Sequence, residues 1–181
     1  MTFQSVVLFS TTLLAIVNPV ASAHFNFTVT EPMGIVGILA PDDAPVLGLL
    51  SLILPAITSG NSVVALASAT QPYPSILLGE MLATSDLPGG VVNLLTGFRS
   101  ELLKPLAAHM DINAVVVASA TKDERTMLDA EATCNLKRMV YPKVTDWSSE
   151  DAQSPYFILD TQEVKTTWHP IERGQGGGGG Y

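Results

Sequence analysis

Cysteine is almost missing from this chain: Cys134 is the only one in 181 residues. A single thiol excludes an intrachain disulfide framework and a cysteine-rich zinc site, and it reads as a small buried hydrophobe. No metal ligand set is expected. Charge is scarce too. Charged residues make up 14% of the chain, and acidic outnumber basic 17 to 9, for a net charge of −8. An acidic surface repels phosphate backbones, which excludes nucleic acid as a partner. The 47% hydrophobic content excludes a disordered polar chain. The length suffices for one ordinary domain with a real core. No G-x-G-x-x-G follows a strand and opens a helix; the only glycine run, Gly176–Gly180, ends the chain.

What is present begins with a leader-like N-terminus. Val6 to Val17 is almost wholly apolar, Asn18-Pro19 breaks it, and Val20-Ala21-Ser22-Ala23 offers a small-residue cleavage site. That is the order of parts in a secretory signal peptide, although Met1–Ser5 carries no Lys or Arg. The run is too short to span a bilayer, so no stable membrane segment is expected after cleavage. Residues 1–23 are therefore read as a signal peptide and 24–30 as a linker, with a glycosylation sequon at Asn26-Phe27-Thr28 that matters only on export.

From Gly34 the pattern alternates. Strands are expected over Gly34–Ala40, Ser62–Leu66, Val91–Leu95, Ala114–Ser119 and Leu136–Tyr141, as short Ile/Val-rich runs suited to a buried parallel sheet. Between them helices are expected from Pro45 to Thr58, from Pro72 to about Thr84, from Ser100 to Ala108 and from Lys122 to Thr133. Proline suits the opening of the first two, and Gly60 suits the left-handed position that closes the first. Strand and helix alternating at this spacing predict a partial Rossmann-like α/β fold, a parallel sheet flanked by helices. The domain is read as 31–145. A C-terminal extension follows over 146–173, with a loop leading into a short helix near Trp147 and strands at Tyr156–Leu159 and Val164–Trp168. Residues 174–181 form a Gly-rich tail.

Several motifs carry a resemblance. EPMGIVGILAP from Glu31, ILPAITSGNSVV from Ile53, SDLPGGVVNLLTG from Ser85, AHMDINA from Ala108 and NLKR from Asn135 occur in order. Together they resemble the nucleotide-binding half of aldehyde dehydrogenases, strongly over Glu31–Gly97 and fairly to Val140. Asn135-Leu136-Lys137, Asp146-Trp147 and Thr161–Pro170 further resemble the end of the second, degenerate unit of aldehyde dehydrogenase family 16.

The resemblance implies NAD or NADP as cofactor, and it also marks what has changed. Where active members carry an aromatic and then an oxyanion-binding asparagine, this chain has Asp42 and Asp43. Asp43 is an anionic acceptor and would oppose an oxyanion unless protonated; a solvated acidic turn capping the next helix is the plainer reading. Where active members place a lysine and a ribose-binding glutamate or serine, Leu66 and Ala69 stand, with Ser68 between them. The two glycines that let a pyrophosphate approach the backbone correspond to Ser119 and Glu124. The general-base glutamate is absent: Pro142 and Lys143 occupy that stretch. Cys134 does not match the catalytic cysteine, which belongs to a catalytic domain beyond the matched stretch. Without a thiolate no covalent intermediate forms.

These losses together lead to the expectation of no bound cofactor and no catalysis, with the domain acting as an assembly or interaction module. The alternative is a subunit or fragment of an NAD(P)-dependent oxidoreductase acting on aldehydes. The leader implies export, whereas the resemblance implies a cytosolic or organellar protein. The resemblance is traced from Glu31, which leaves out the front of the domain. A truncated sheet has exposed edges, so a protein partner or homo-oligomer is expected.

Overall fold

The computed structural model describes residues 24–170. The leader, residues 1–23, and the Gly-rich tail lie outside the described residues. Two compact units are formed. In the first, strand β1 (His24–Pro32) pairs with strand β7 (Gln162–Pro170) in a two-stranded sheet. Residues 24–30, expected as a linker, are thus strand. Alternation in Phe25-Asn26-Phe27-Thr28-Val29-Thr30 explains why: it is a period-2, β-branched and aromatic pattern. The pair is joined across its width by the Thr28 and Thr166 hydroxyls, 3.1 Å apart, and by an ion pair between Lys165 and Glu31.

The second unit runs from Pro32 to Gln162. Its core is a five-stranded, all-parallel sheet in the order β4-β3-β2-β5-β6. The strands are β2 (Ile35–Leu39), β3 (Ser62–Leu66), β4 (Val92–Leu95), β5 (Ala114–Val117) and β6 (Arg138–Val140). Helices α1 (Leu47–Thr58), α2 (Tyr73–Ala83), α3 (Arg99–Ala108) and α4 (Lys122–Ala132) are the crossovers. The sheet thus matches the expected α/β class.

Strand alternation divides the core in two. Val36, Ile38, Val63 and Ala65 pack with Leu49, Ile53 and Leu78 of α1 and α2 on one face. Leu39, Leu66, Val115 and Val117 pack with Leu103, Leu106 and Leu128 of α3 and α4 on the other. Because β5 is wholly buried, its sequence Ala-Val-Val-Val is a continuous apolar run.

The helix ends follow local chemistry. At α1 the amide of Asn61 donates to the Ala56 carbonyl and that of Gly60 to Ile57, with Gly60 at φ +90°. These are the paired bonds of a glycine-terminated helix. Asn61 is buried and works on both sides of this end. Its amide nitrogen donates to the carbonyls of Ala56 and Thr161 and to the Ser59 hydroxyl, and its oxygen accepts from the Gly34 amide.

Tyr156–Leu159, expected as a strand, is instead the one-turn helix α5 (Tyr156–Asp160). Pro155 sits in the helical region, and the carbonyls of Ser154 and Pro155 accept from Phe157 and Ile158. The turn packs on α1 rather than joining a sheet. Ahead of it, a 3₁₀ turn over Glu150–Gln153 is the short helix expected after Trp147.

Candidate functional site

In a sheet of this order β2 lies centrally, and the chain leaves it toward β4 on one side and toward β6 on the other. Ligands of such sheets bind at the carboxyl ends of the strands beside this reversal. Here those ends are the segments after Leu39, Leu66 and Val117, and the sequence-predicted positions fall on all three.

After β2, Pro41 is held against α1. A Cβ on Gly48 would lie 2.3 Å from Pro41 Cγ and 3.1 Å from the Trp147 ring, so only glycine permits this approach. The loop thereby fixed carries Asp42 toward β3. Asp42 Oδ1 accepts from the Ser68 hydroxyl at 2.6 Å, the Ala69 amide at 3.1 Å and the Thr70 hydroxyl at 3.5 Å. The Ser68 hydrogen bond, with those of Thr70 and Ala69, outweighs the opposing effect of burial and holds the Asp42 carboxyl below the usual range. Ser68 itself is buried, and its oxygen also accepts from the Gln71 amide at 3.2 Å. Asp43 is exposed. The expected acidic cap on α1 is not formed: the residue preceding the helix is Val46, with no side-chain cap, because Asp42 is turned across to the β3–α2 loop.

On the other side of β2, Thr121 and Glu124 form a reciprocal cap on α4. The Glu124 amide donates to Thr121 Oγ1 at 3.2 Å, and Glu124 Oε2 accepts from the Thr121 amide at 2.9 Å. Arg99, at the first residue of α3, closes the arrangement. Its Nε donates to Glu124 Oε1 at 2.8 Å, and its Nη2 donates to Glu124 Oε2 at 3.3 Å and to the Ala118 carbonyl at 3.2 Å. Burial raises the Glu124 carboxyl, but the Arg99 and Thr121 hydrogen bonds outweigh it and the net shift is downward. Asp42 also feels Arg99.

The void between Asp42, Leu66, Ala69 and Arg99 is only about 10 Å³. That is room for one water. A much larger cleft of about 310 Å³ lies between β3, β4 and α3, and Leu66 at the end of β3 lines it too.

The structure therefore brings Asp42, Leu66, Ser68 and Ala69 together, keeps Ser119 and Glu124 on the next strand end, and adds Arg99, which no local sequence pattern marks. Ser119 has φ +53°, the left-handed region that favours glycine. Cys134, expected buried, is exposed: it follows α4 at its solvent-facing end. Among the described residues no group of three or more His, Cys, Asp or Glu could hold a metal ion, and no helix is long and apolar enough to cross a membrane.

A model of the aldehyde dehydrogenase family matches residues 4–142. The chain belongs to the aldehyde dehydrogenase family. The matched stretch begins well before Glu31 and takes in the apolar run Val6–Val17. Aldehyde dehydrogenase 1 of Tanacetum cinerariifolium is 29% identical over 139 residues, covering 77% of this chain and 26% of that protein. An aldehyde dehydrogenase of Aspergillus niger is 34% identical over 118 residues, 65% of this chain and 24% of the relative. Among solved structures, an indole-3-acetaldehyde dehydrogenase of P. syringae, crystallised with NAD+, superposes with a TM-score of 0.64 at 28% identity. It is covered over 26% of its length by 72% of this chain. The chain spans about a quarter of the length of the curated relatives it matches.

Proposed function

We propose that this aldehyde-dehydrogenase-like domain is silent in catalysis and serves assembly. The observation that carries this reading is the Arg99–Glu124 pair. Its guanidinium and carboxylate stand over the amino end of α4 and the carboxyl end of β5, where a pyrophosphate would meet bare backbone amides. Glu124 already occupies the Thr121 amide. Asp42 occupies the Ala69 amide in the same way. A dinucleotide would have to displace two carboxylates from their hydrogen bonds and bring its own negative charge beside them. The loss of the general base and the mismatch of Cys134 with the catalytic cysteine add to this.

Titration with NAD and with NADP, followed by calorimetry and tryptophan emission, tests it. No saturation is expected at millimolar dinucleotide. Saturable binding, with Ser119 and Leu66 beside an ordered ligand in a crystal, would overturn it.

A second reading rests on Ser119. Its backbone is left-handed at φ +53°, a conformation that favours glycine, at the position where the resemblance implies one. It supports the reading of the chain as part of an NAD(P)-dependent aldehyde oxidoreductase. Aldehyde oxidation by the full-length gene product distinguishes the two readings.

A further inference from the structure

One buried side chain, Asn61, binds both places where the chain passes between the two compact units. The chain enters the second unit at Pro32 and leaves it at Gln162. Just inside the entry, the Gly34 amide donates to Asn61 Oδ1 at 2.9 Å. Just before the exit, the Thr161 carbonyl accepts from Asn61 Nδ2 at 2.8 Å.

Each passage is pinned further. The Gly34 carbonyl accepts from the Ser62 amide at 2.9 Å. Gly34 has φ +121°, and a Cβ there would lie 2.6 Å from Asn113 Oδ1, so only glycine fits. That same oxygen accepts from the Ile35 amide at 3.0 Å. At the exit, the Thr161 hydroxyl lies 3.0 Å from that of Ser59, which donates to the Ala56 carbonyl at 2.8 Å. Arg138 Nη1 donates to the Gln162 carbonyl. Ser59, Asn61 and Thr161 are all buried, and each of their side-chain polar atoms has a partner. A satisfied buried network of this kind is rigid.

The β1–β7 ribbon has little of its own to hold it. Glu163, Val164, Lys165 and Thr166 are exposed. The side-chain ties across it, Thr28 to Thr166 and Lys165 to Glu31, are exposed too, and ties of that kind contribute little. A two-stranded sheet is marginal by itself in water. Its strands also flank the whole sequence of the second unit, so their pairing has to offset the entropy of closing a long loop. Fixing both roots on one side chain removes that cost. The strands then meet at high effective concentration, as the arms of a hairpin do.

We propose that Asn61 is a clamp standing in for a hairpin turn: β1 and β7 stay paired while its amide group holds Gly34 and Thr161, and part when it lets go. The ribbon is then a conditional element, able to unzip while the five-stranded sheet stays folded.

Hydrogen exchange of the full chain tests this. In Asn61→Ala, the protected amides of β1 and β7 are expected to exchange about tenfold faster or more, the scale set by losing a buried hydrogen bond. The amides of β5 are expected to keep their protection wherever circular dichroism shows the sheet intact. Thr28→Val removes a tie inside the ribbon and is expected to change ribbon exchange less than Asn61→Ala does; the reverse order puts the hold inside the ribbon and overturns the clamp. A side chain that only stabilised the second unit would speed β5 and the ribbon together. That outcome, or a ribbon indifferent to Asn61→Ala, also overturns it. If Asn61→Ala fails to fold, the unaltered chain decides. Under rising urea its ribbon amides and the Gly34 and Asn61 amides are expected to lose protection in one step, ahead of β5. A ribbon that opens while Gly34 and Asn61 stay protected contradicts the proposal.

Discussion

Two side chains sit where glycine belongs. Among the described residues, Ser119 (φ +53°) and Leu136 (φ +56°) are the non-glycine residues with left-handed backbones. Leu136 closes α4: the Lys137 amide donates to the Ala132 carbonyl, the bond that usually accompanies glycine one residue earlier. Its side chain is 92% exposed, so burial returns nothing for the strain. Leu136→Gly is expected to stabilise the fold by about 1 kcal/mol, raising the melting temperature by about 2–4 °C. Ser119→Gly is expected to act in the same direction but less, since a short polar side chain tolerates this region better than leucine. Urea denaturation of both variants measures the difference. Lys137 beside it is buried and donates to the carbonyls of His109 and Ile112. Burial draws its ammonium pKa downward.

The ends of the elements are tied by partners far apart in sequence, and this sets what could be read beforehand. The strands were legible because Ile35–Leu39 and Ala114–Val117 are apolar runs too short for helices and bounded by turn residues. Tyr156–Leu159 was not, since four apolar residues fit one helical turn as well as a strand, and Pro155 decided between them. Arg99 was not legible either: nothing within its own helix indicates that Glu124, 25 residues on, is its partner. Leu66, Ser68 and Ala69 fell at the carboxyl end of β3 as the motif order required, whereas the bond from Ser68 to Asp42 depends on how two loops meet.

The Arg99–Glu124 tie between α3 and α4 has a pH signature. The folded-state pKa of Glu124 lies below its ordinary value. Its contribution to stability is therefore complete above the unfolded value, near about pH 4.3 for a glutamate, and is lost as pH falls through the folded value. Glu124→Gln is expected to be less stable than the unaltered chain at neutral pH, with the gap narrowing on acidification below the ordinary glutamate range. Thermal melts across pH 2–7 check this; a gap that widens at low pH contradicts the sign.

At the scale of the molecule, the chain holds two tryptophans, and the two compact units hold one each. Trp147 is 4% exposed, against Gly48 and Pro41 at the base of the Asp42 loop, while Trp168 on β7 is 67% exposed. Their emission is expected to separate, blue-shifted for Trp147 and red-shifted for Trp168, with acrylamide quenching the second first. Replacing each in turn with phenylalanine assigns the bands. The ring wedged beside Gly48 thus doubles as a built-in optical gauge: whatever loosens the loop after β2, whether heat or acid, changes the colour of its light.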